Sequence, residues 1–199
     1  MTSPTPISPP GRMIHLNGAS STGKTTLARA LQAVLTGLYL YVGTDHFLPM
    51  FPHGDGRFDG FHWIRAEDGS LENITAGRDA ARLLHGMRRA VAAMVDGGNN
   101  VIVETGFWGD DLAACVSEWS RFEPLCVSVC CSLSVAERRE VNRGNRVPGL
   151  ARMQRRLISE SSDFGRVLDA SDQSPEECAG IVASWLGPRE HEIGCVSWA

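Results

Sequence analysis

Gly18-Ala19-Ser20-Ser21-Thr22-Gly23-Lys24-Thr25 is the stretch that decides the fold of this 199-residue chain. It satisfies G-x-x-x-x-G-K-[ST] in full. An apolar run, Met13–Asn17, precedes it, and Leu27, Ala28, Leu31, Val34 and Leu35 follow at helical spacing. A strand, a glycine-rich turn and a helix in that order form a P-loop. Gly18 and Gly23 let the backbone curl until successive N–H groups point inward at phosphate oxygens. The start of the helix adds partial positive charge. Lys24 is then placed to reach the β- and γ-phosphates of ATP, and the Thr25 hydroxyl to ligate Mg2+. Ala19, Ser20, Ser21, Thr22 and Thr26 complete the predicted cradle.

Lys24 is the only lysine among 19 Lys+Arg residues. The bias reads first as genome composition; since arginine serves wherever the two were interchangeable, position 24 also reads as the one place that requires a compact, flexible ammonium.

Outward from the P-loop, the pattern alternates. Leu38–Val42 reads as a second strand, Ala76–Val95 as a helix closed by Gly97 and Gly98, and Val101–Glu104 as a third strand. Asp110–Trp119 reads as a helix and Leu125–Cys131 as a fourth strand. Ser134 and Glu137 suggest a capping box opening a helix into the arginine-rich segment Arg138–Arg156. Val167–Ser171 is the weakest strand. Ser174, Pro175 and Glu177 supply an N-cap, a first-turn proline and an N3 acid for a last helix ending near Gly187. Such alternation predicts one α/β domain with a mainly parallel sheet over residues 12–187, flanked by tails at 1–11 and 188–199. Phe47–Ser70 shows no periodicity, and a stretch of that length without regular structure is usually functional or mobile.

Composition narrows the classes. A net charge of −4 and a pI near 5.9 argue against a broad nucleic-acid footprint. No apolar run reaches 18 residues, and Met1–Gly11 lacks the cationic start and apolar centre of a signal peptide, so the expected location is cytoplasmic, with no membrane partner. Cys115, Cys126, Cys130, Cys131, Cys178 and Cys195 form no C-x-x-C pair and read as reduced, mostly buried thiols.

In a parallel sheet, ligands sit beyond the carboxyl ends of the strands. Gly43-Thr44-Asp45 closes the second strand, so Asp45 stands where it could accept a proton from an attacking hydroxyl, or instead cap the next helix. Glu104 closes the third strand, where an acid commonly holds Mg2+ or its water; contact with substrate and pairing with an arginine are the alternatives. Arg139, Arg143 and Arg146 fall at i, i+4 and i+7, one face of a helix. They read either as a lid closing on ATP phosphates or as a solvated basic face with Glu137 and Glu140 as partners. Gly144 and Pro148-Gly149 interrupt the helix and favour a hinged lid at 134–156. His46 reads as structural or as an aid to Asp45. Phe51, Phe58, Phe61 and Trp63 either line a pocket or form the small core of an insertion spanning 46–75.

Taken together, these residues resemble the chloramphenicol phosphotransferase family of P-loop kinases. The likeness rests on Leu16-Asn17-Gly18 through Thr25, on Gly43-Thr44-Asp45, on Glu104 and Phe107, and most on Arg139-Glu140-Val141-Asn142-Arg143-Gly144-Asn145-Arg146-Val147. It implies a three-layer, nucleoside-monophosphate-kinase-like core with strand order 2-3-1-4-5. It also implies transfer of the ATP γ-phosphate to a hydroxyl of a small molecule, with Asp45 as base, Lys24 and Thr25 as phosphate and metal residues, and the three arginines as lid. The sequence departs from the family pattern at Thr105, where a second carboxylate is expected, at Ser159, where a histidine is expected, and at Phe164-Gly165, where a Tyr-Asp pair is expected. The rivals are a kinase of a nucleotide, sugar or nucleotide-sugar, and a switch module that turns over ATP without an acceptor.

Overall fold

A computed structural model describes residues 9–52, 58–144, 147–160 and 164–187. Five parallel strands form the central sheet: β1 (Met13–Asn17), β2 (Tyr39–Gly43), β5 (Asn100–Thr105), β6 (Leu125–Cys130) and β7 (Arg166–Asp169). They lie in the order β2-β5-β1-β6-β7, which is 2-3-1-4-5 when only the strands of this sheet are counted. A separate antiparallel hairpin pairs β3 (Phe61–Arg65) with β4 (Leu71–Ala76).

Period-2 alternation along the strands creates the layers. Met13, Val101 and Val103 face one side, where Leu84, Met87, Val91 and Val95 of α3 (Arg78–Asp96) and Leu112, Cys115 and Trp119 of α4 (Gly109–Trp119) cover them. Ile14, Leu16 and Ile102 face the other, against Leu27, Ala28 and Leu31 of α1 (Lys24–Val34) and Cys178, Ala179 and Val182 of α7 (Pro175–Trp185). Full burial of a side chain the size of Ile14 or Leu31 is worth about 1.5–3 kcal/mol, so the strand–helix seams carry the stability. The charged and glycine-rich strand ends are left to function.

The central strand buries two polar residues, His15 and, at its end, Asn17. His15 is fully buried, edge-on to Trp119 and Phe164 at centroid distances of 4.8 and 4.7 Å, with Nε2 2.8 Å from Thr105 Oγ1. Burial lowers its pKa to about 3, so the ring is neutral at ordinary pH.

Several sequence expectations shift here. The stretch Phe47–Ser70 is not without regular structure: it holds the end of α2 (Thr44–Phe47), a single 3-10 turn and β3. Ala76 belongs to β4 rather than to the following helix, which starts at Arg78. Asp59 organises that junction, accepting from the Arg78 N–H at 2.6 Å while its own N–H donates to Asp79 Oδ2 at 2.9 Å. The Ser134/Glu137 capping box does not form. Helix α5 (Leu133–Arg143) begins two residues earlier with Ser132 as N-cap, and Glu137 instead pairs with Arg152 at 2.7 Å. The box at Ser174 and Glu177 does form. Gly11, placed in the tail by its composition, is buried, and its N–H donates to Val95 O at 2.8 Å. The segments 1–8 and 188–199, most of the expected tails, lie outside the described residues. Cys115 and Cys178 are free and buried, with burial pushing the Cys115 thiol up to about 12, whereas Cys126 and Cys130 are half-buried. Among the described residues no helix is long and apolar enough to cross a membrane.

The departures at Ser159 and Phe164-Gly165 have local reasons. Gly165 has φ +63°, and a Cβ there would lie 2.2 Å from Cys126 O, so no aspartate fits. Phe164 is buried against His15, where a phenol hydroxyl would need a partner. Ser159 is exposed near the end of α6 (Leu150–Glu160), its hydroxyl donating to Arg156 O.

Candidate active site

The P-loop curls as its glycines require. Gly18 passes so close to β6 that a Cβ would lie 2.2 Å from Val129 O, and Gly23 has φ +101°. Ser21 also takes a left-handed conformation, φ 63°, a cost that non-glycine residues bear mainly at functional sites. Lys24 Nζ is held at 2.8 Å by Gly18 O and Ala19 O, and the Thr22 hydroxyl donates to Ala19 O at 3.0 Å. The ammonium is thereby parked over the cradle. Ser20, Ser21, Gly23, Lys24 and Thr25 line a cavity of about 800 Å3, whereas Thr26 is exposed on α1 and does not line it.

Three neighbouring strands deliver their ends to this cavity. Gly43 pairs with Glu104, and Asn17 with Thr105, which sets Asp45 beside Glu104 and Glu104 beside the P-loop. Glu104 is buried at 7% exposure; its Oε1 accepts from Thr25 Oγ1 at 3.1 Å, and Oε2 has no hydrogen-bond partner among the described residues. A buried carboxylate oxygen without a partner is costly unless a cation or donor completes it. Thr25 and Glu104 therefore fit Mg2+, which takes one or two protein oxygens and fills its remaining positions with water and phosphate. No cluster of three or more metal-ligating side chains occurs among the described residues. The Tyr41 hydroxyl packs beside this pair, its pKa raised by burial and then by the charge of Glu104.

Asp45 is exposed to the cavity in the first turn of α2, and it is not the N-cap. His46 does the capping, its Nδ1 accepting from Gly43 N–H at 2.8 Å while its ring packs edge-on to Tyr41. His46 is thus a structural residue.

The arginines separate. Arg143 ends α5 and lines the cavity. Arg139 lies against the P-loop and the turn after β7, donating to Thr22 O at 3.3 Å and Ala170 O at 3.4 Å. Helix α5 stops at Arg143 with Gly144 as C-cap, and Arg146 lies outside the described residues. Glu140, expected as an arginine partner, is buried and caps α6 instead, with Oε1 and Oε2 accepting from the Ala151 and Gly149 N–H groups at 2.9 and 3.0 Å.

Part of the cavity wall is aromatic. Phe51 stacks on Phe58 at 4.6 Å, and Phe61, Trp63, Phe107 and Trp108 join them around the cavity. Trp63 remains 44% exposed, so these rings form a lining, not a closed core.

Sequence reading missed four contributors. Tyr41 and Asp111 had no motif to mark them. Asp111 lines the cavity 4.0 Å from Arg88, with its pKa raised by burial. Asn17, which the sequence reading quoted only as part of the family likeness, binds both main-chain groups of Phe107: Nδ2 donates to its carbonyl at 3.0 Å and Oδ1 accepts its N–H at 2.9 Å. Gln154 of α6 reaches back to the P-loop, its Oε1 accepting from Ser20 N–H at 2.7 Å. No motif or spacing in the amphipathic helix α6 marks it.

A family model described as chloramphenicol phosphotransferase-like protein matches residues 11–186. A Mycobacterium tuberculosis (strain H37Rv) protein, provisionally named an O-phosphotransferase, is 28% identical over 188 residues, covering 86% of this chain and 80% of that one. Among solved structures, the M. tuberculosis APS kinase CysC in complex with AMPPNP and APS superposes with a TM-score of 0.60 at 18% identity, over 89% of this chain and 98% of that one. The Deinococcus radiodurans tunicamycin resistance protein gives 0.62 at 16%, over 89% and 96%. A Sinorhizobium meliloti gluconokinase gives 0.53 at 14%, over 88% and 93%. These three likenesses concern the fold.

Proposed function

This chain belongs to the chloramphenicol phosphotransferase-like family, and we propose that within it the protein is an ATP- and Mg2+-dependent O-phosphotransferase acting on a small hydroxylated molecule. One observation carries the reading: Asp45 and Glu104, on adjacent strand ends, face one cavity with the P-loop. A switch needs a positioned water; a carboxylate beside an open aromatic chamber suits an acceptor.

In this reading the acceptor lies along the aromatic wall with its hydroxyl at Asp45. As the acceptor oxygen bonds to the γ-phosphorus, its proton passes to the Asp45 carboxylate and the bond to the β–γ bridging oxygen breaks, releasing ADP. Lys24 leaves its carbonyl partners for the β- and γ-phosphate oxygens, and Arg143 approaches the same charge from the lid. Thr25 and Glu104 would hold Mg2+, which neutralises phosphate charge when bound. The lining of Phe51, Trp63, Phe107 and Trp108 offers large apolar faces and few hydrogen-bond partners, so it favours a bulky antibiotic-like acceptor, such as chloramphenicol or a related natural product, over a sugar or nucleotide.

The test is ATP consumption, with and without a panel of hydroxylated acceptors, followed by mass analysis of the products. The reading expects ADP formation stimulated by an aromatic or macrocyclic alcohol and a product heavier by one phosphoryl group. ADP formation that no acceptor stimulates would leave the switch reading in its place.

A further inference from the structure

Three consecutive residues of α6 fasten it to three different parts of the molecule. Arg156 donates to Glu72 O of the hairpin at 2.7 Å, Arg155 donates to Cys131 O after β6, and Gln154 bonds the P-loop. Two of these contacts have a plain structural purpose. The third sits where the chemistry is expected.

Gln154 bridges two backbones. Its Oε1 accepts from Ser20 N–H at 2.7 Å and its Nε2 donates to Gly106 O at 3.3 Å. Ser20 is the third residue of the P-loop, and Gly106 leaves β5 for the aromatic wall. The carboxamide therefore occupies the seam between the phosphate cradle and the acceptor chamber. The partners also fix which way the amide points, because an N–H demands the oxygen and a carbonyl demands the NH2 group. An NH2 group carries two hydrogens, and Gly106 O takes one. The side chain lines the same cavity as Lys24, Thr25, Asp45 and Glu104.

We propose that Gln154 reads the γ-phosphate: with Oε1 held by Ser20, the second Nε2 hydrogen donates to a γ-phosphoryl oxygen, so that α6 closes on the triphosphate and not on the diphosphate. The inference rests on the nucleotide role in the function proposed above. It differs from a strap that simply ties α6 to the P-loop, because a strap serves ATP- and ADP-bound states alike. A hydrogen bond to an anionic oxygen is charge-assisted and stronger than a neutral one, which corresponds to ~10- to 100-fold in affinity.

The experiment measures dissociation constants for Mg-AMPPNP and Mg-ADP by calorimetry in the wild type, Gln154→Glu and Gln154→Leu, with thermal melts to establish folding. Gln154→Glu keeps an oxygen for Ser20 but turns a second oxygen toward Gly106 O and the phosphoryl group. Gln154→Leu keeps the shape and removes both polar contacts. The expected result is ADP affinity within ~3-fold of wild type in both variants, with AMPPNP weakened ~100-fold in Gln154→Glu and ~10-fold in Gln154→Leu. If only Gln154→Leu folds, its AMPPNP-to-ADP ratio decides alone. An unchanged ratio in a folded variant overturns the proposal, as does failure of both variants to fold, since either outcome makes Gln154 a strap. A wild type that binds neither nucleotide overturns the function proposed above as well, and so separates the two failures.

Discussion

The two halves of the cavity are built on opposite plans. The phosphate half consists of consecutive residues, Gly18–Thr25, and its ligands are mainly backbone groups whose direction follows from φ and ψ. The acceptor half is assembled from residues far apart in the chain: Asp45 after β2, Trp63 on the hairpin, Phe107 and Trp108 after β5, and Arg143 at the end of α5. A site made of contiguous backbone tolerates change in its surroundings, whereas a site made of converging side chains depends on every element that delivers one. In the proposed function the first would accept a nucleoside triphosphate through its backbone, and the second could change its substrate by changing a few rings.

Exchange of a single atom at the border of the halves should have the largest effect. Asp45→Asn keeps the size of the side chain but cannot accept a proton, so steady-state turnover with a saturating acceptor is expected to fall ~10²–10⁴-fold, with ATP affinity little changed. If Asp45→Asn stays near full turnover while Glu104→Gln loses it, the base belongs to β5, and the roles of the two strand ends exchange. Lys24→Ala strikes the phosphate half alone. It should lower turnover by ~10²–10³-fold or more while the thermal midpoint falls far less, because the ammonium's bonds to Gly18 O and Ala19 O lie within the loop itself. Near-normal turnover in that variant would remove the P-loop from the mechanism.

Trp63→Ala sharpens the contrast from the other side. Trimming an exposed ring from the wall should raise the acceptor KM by ~10-fold and leave the ATP KM unchanged. Equal shifts in both constants would mean that the halves are not separable.

The smallest effect concerns the core beneath both halves. His15 is neutral when folded, with a pKa near 3, and takes up a proton near its ordinary value of 6.5 when unfolded. Below pH 6.5 the unfolded chain therefore binds more protons, so stability falls as the pH drops from 6.5 toward 3, by up to about 1.4 kcal/mol per pH unit from this group. His15→Gln does not titrate and should flatten that part of the pH dependence of chemical denaturation. An unaltered slope would assign the acid sensitivity to other groups.

Sequence alone determined the contiguous part. The P-loop, the alternation of strands and helices, and the placement of Asp45 and Glu104 at or just after strand ends could be read because each depends on local spacing or on a period of 2 or 3.6 residues, whereas the strand order came from the family likeness alone. The reading failed where partners are distant. The hairpin β3–β4 was hidden because its strands are short and largely exposed, and His62, Arg65, Glu72 and Asn73 leave neither with a continuous apolar face; its base is anchored by Asp59 and Asp79, 20 residues apart. Gly144, read from the sequence as an interruption, ends α5 with φ 65°, whereas the use of the Glu140 carboxylate to cap the second helix had no sequence signal. Only the tertiary structure decided that His46 caps its own helix, that Asn17 clasps the Phe107 backbone 90 residues away, and that Gln154 stands between cradle and wall. The physical reason is the same each time: a polar side chain satisfies whichever unpaired backbone group folding brings within about 3 Å, and no sequence period records which group that will be.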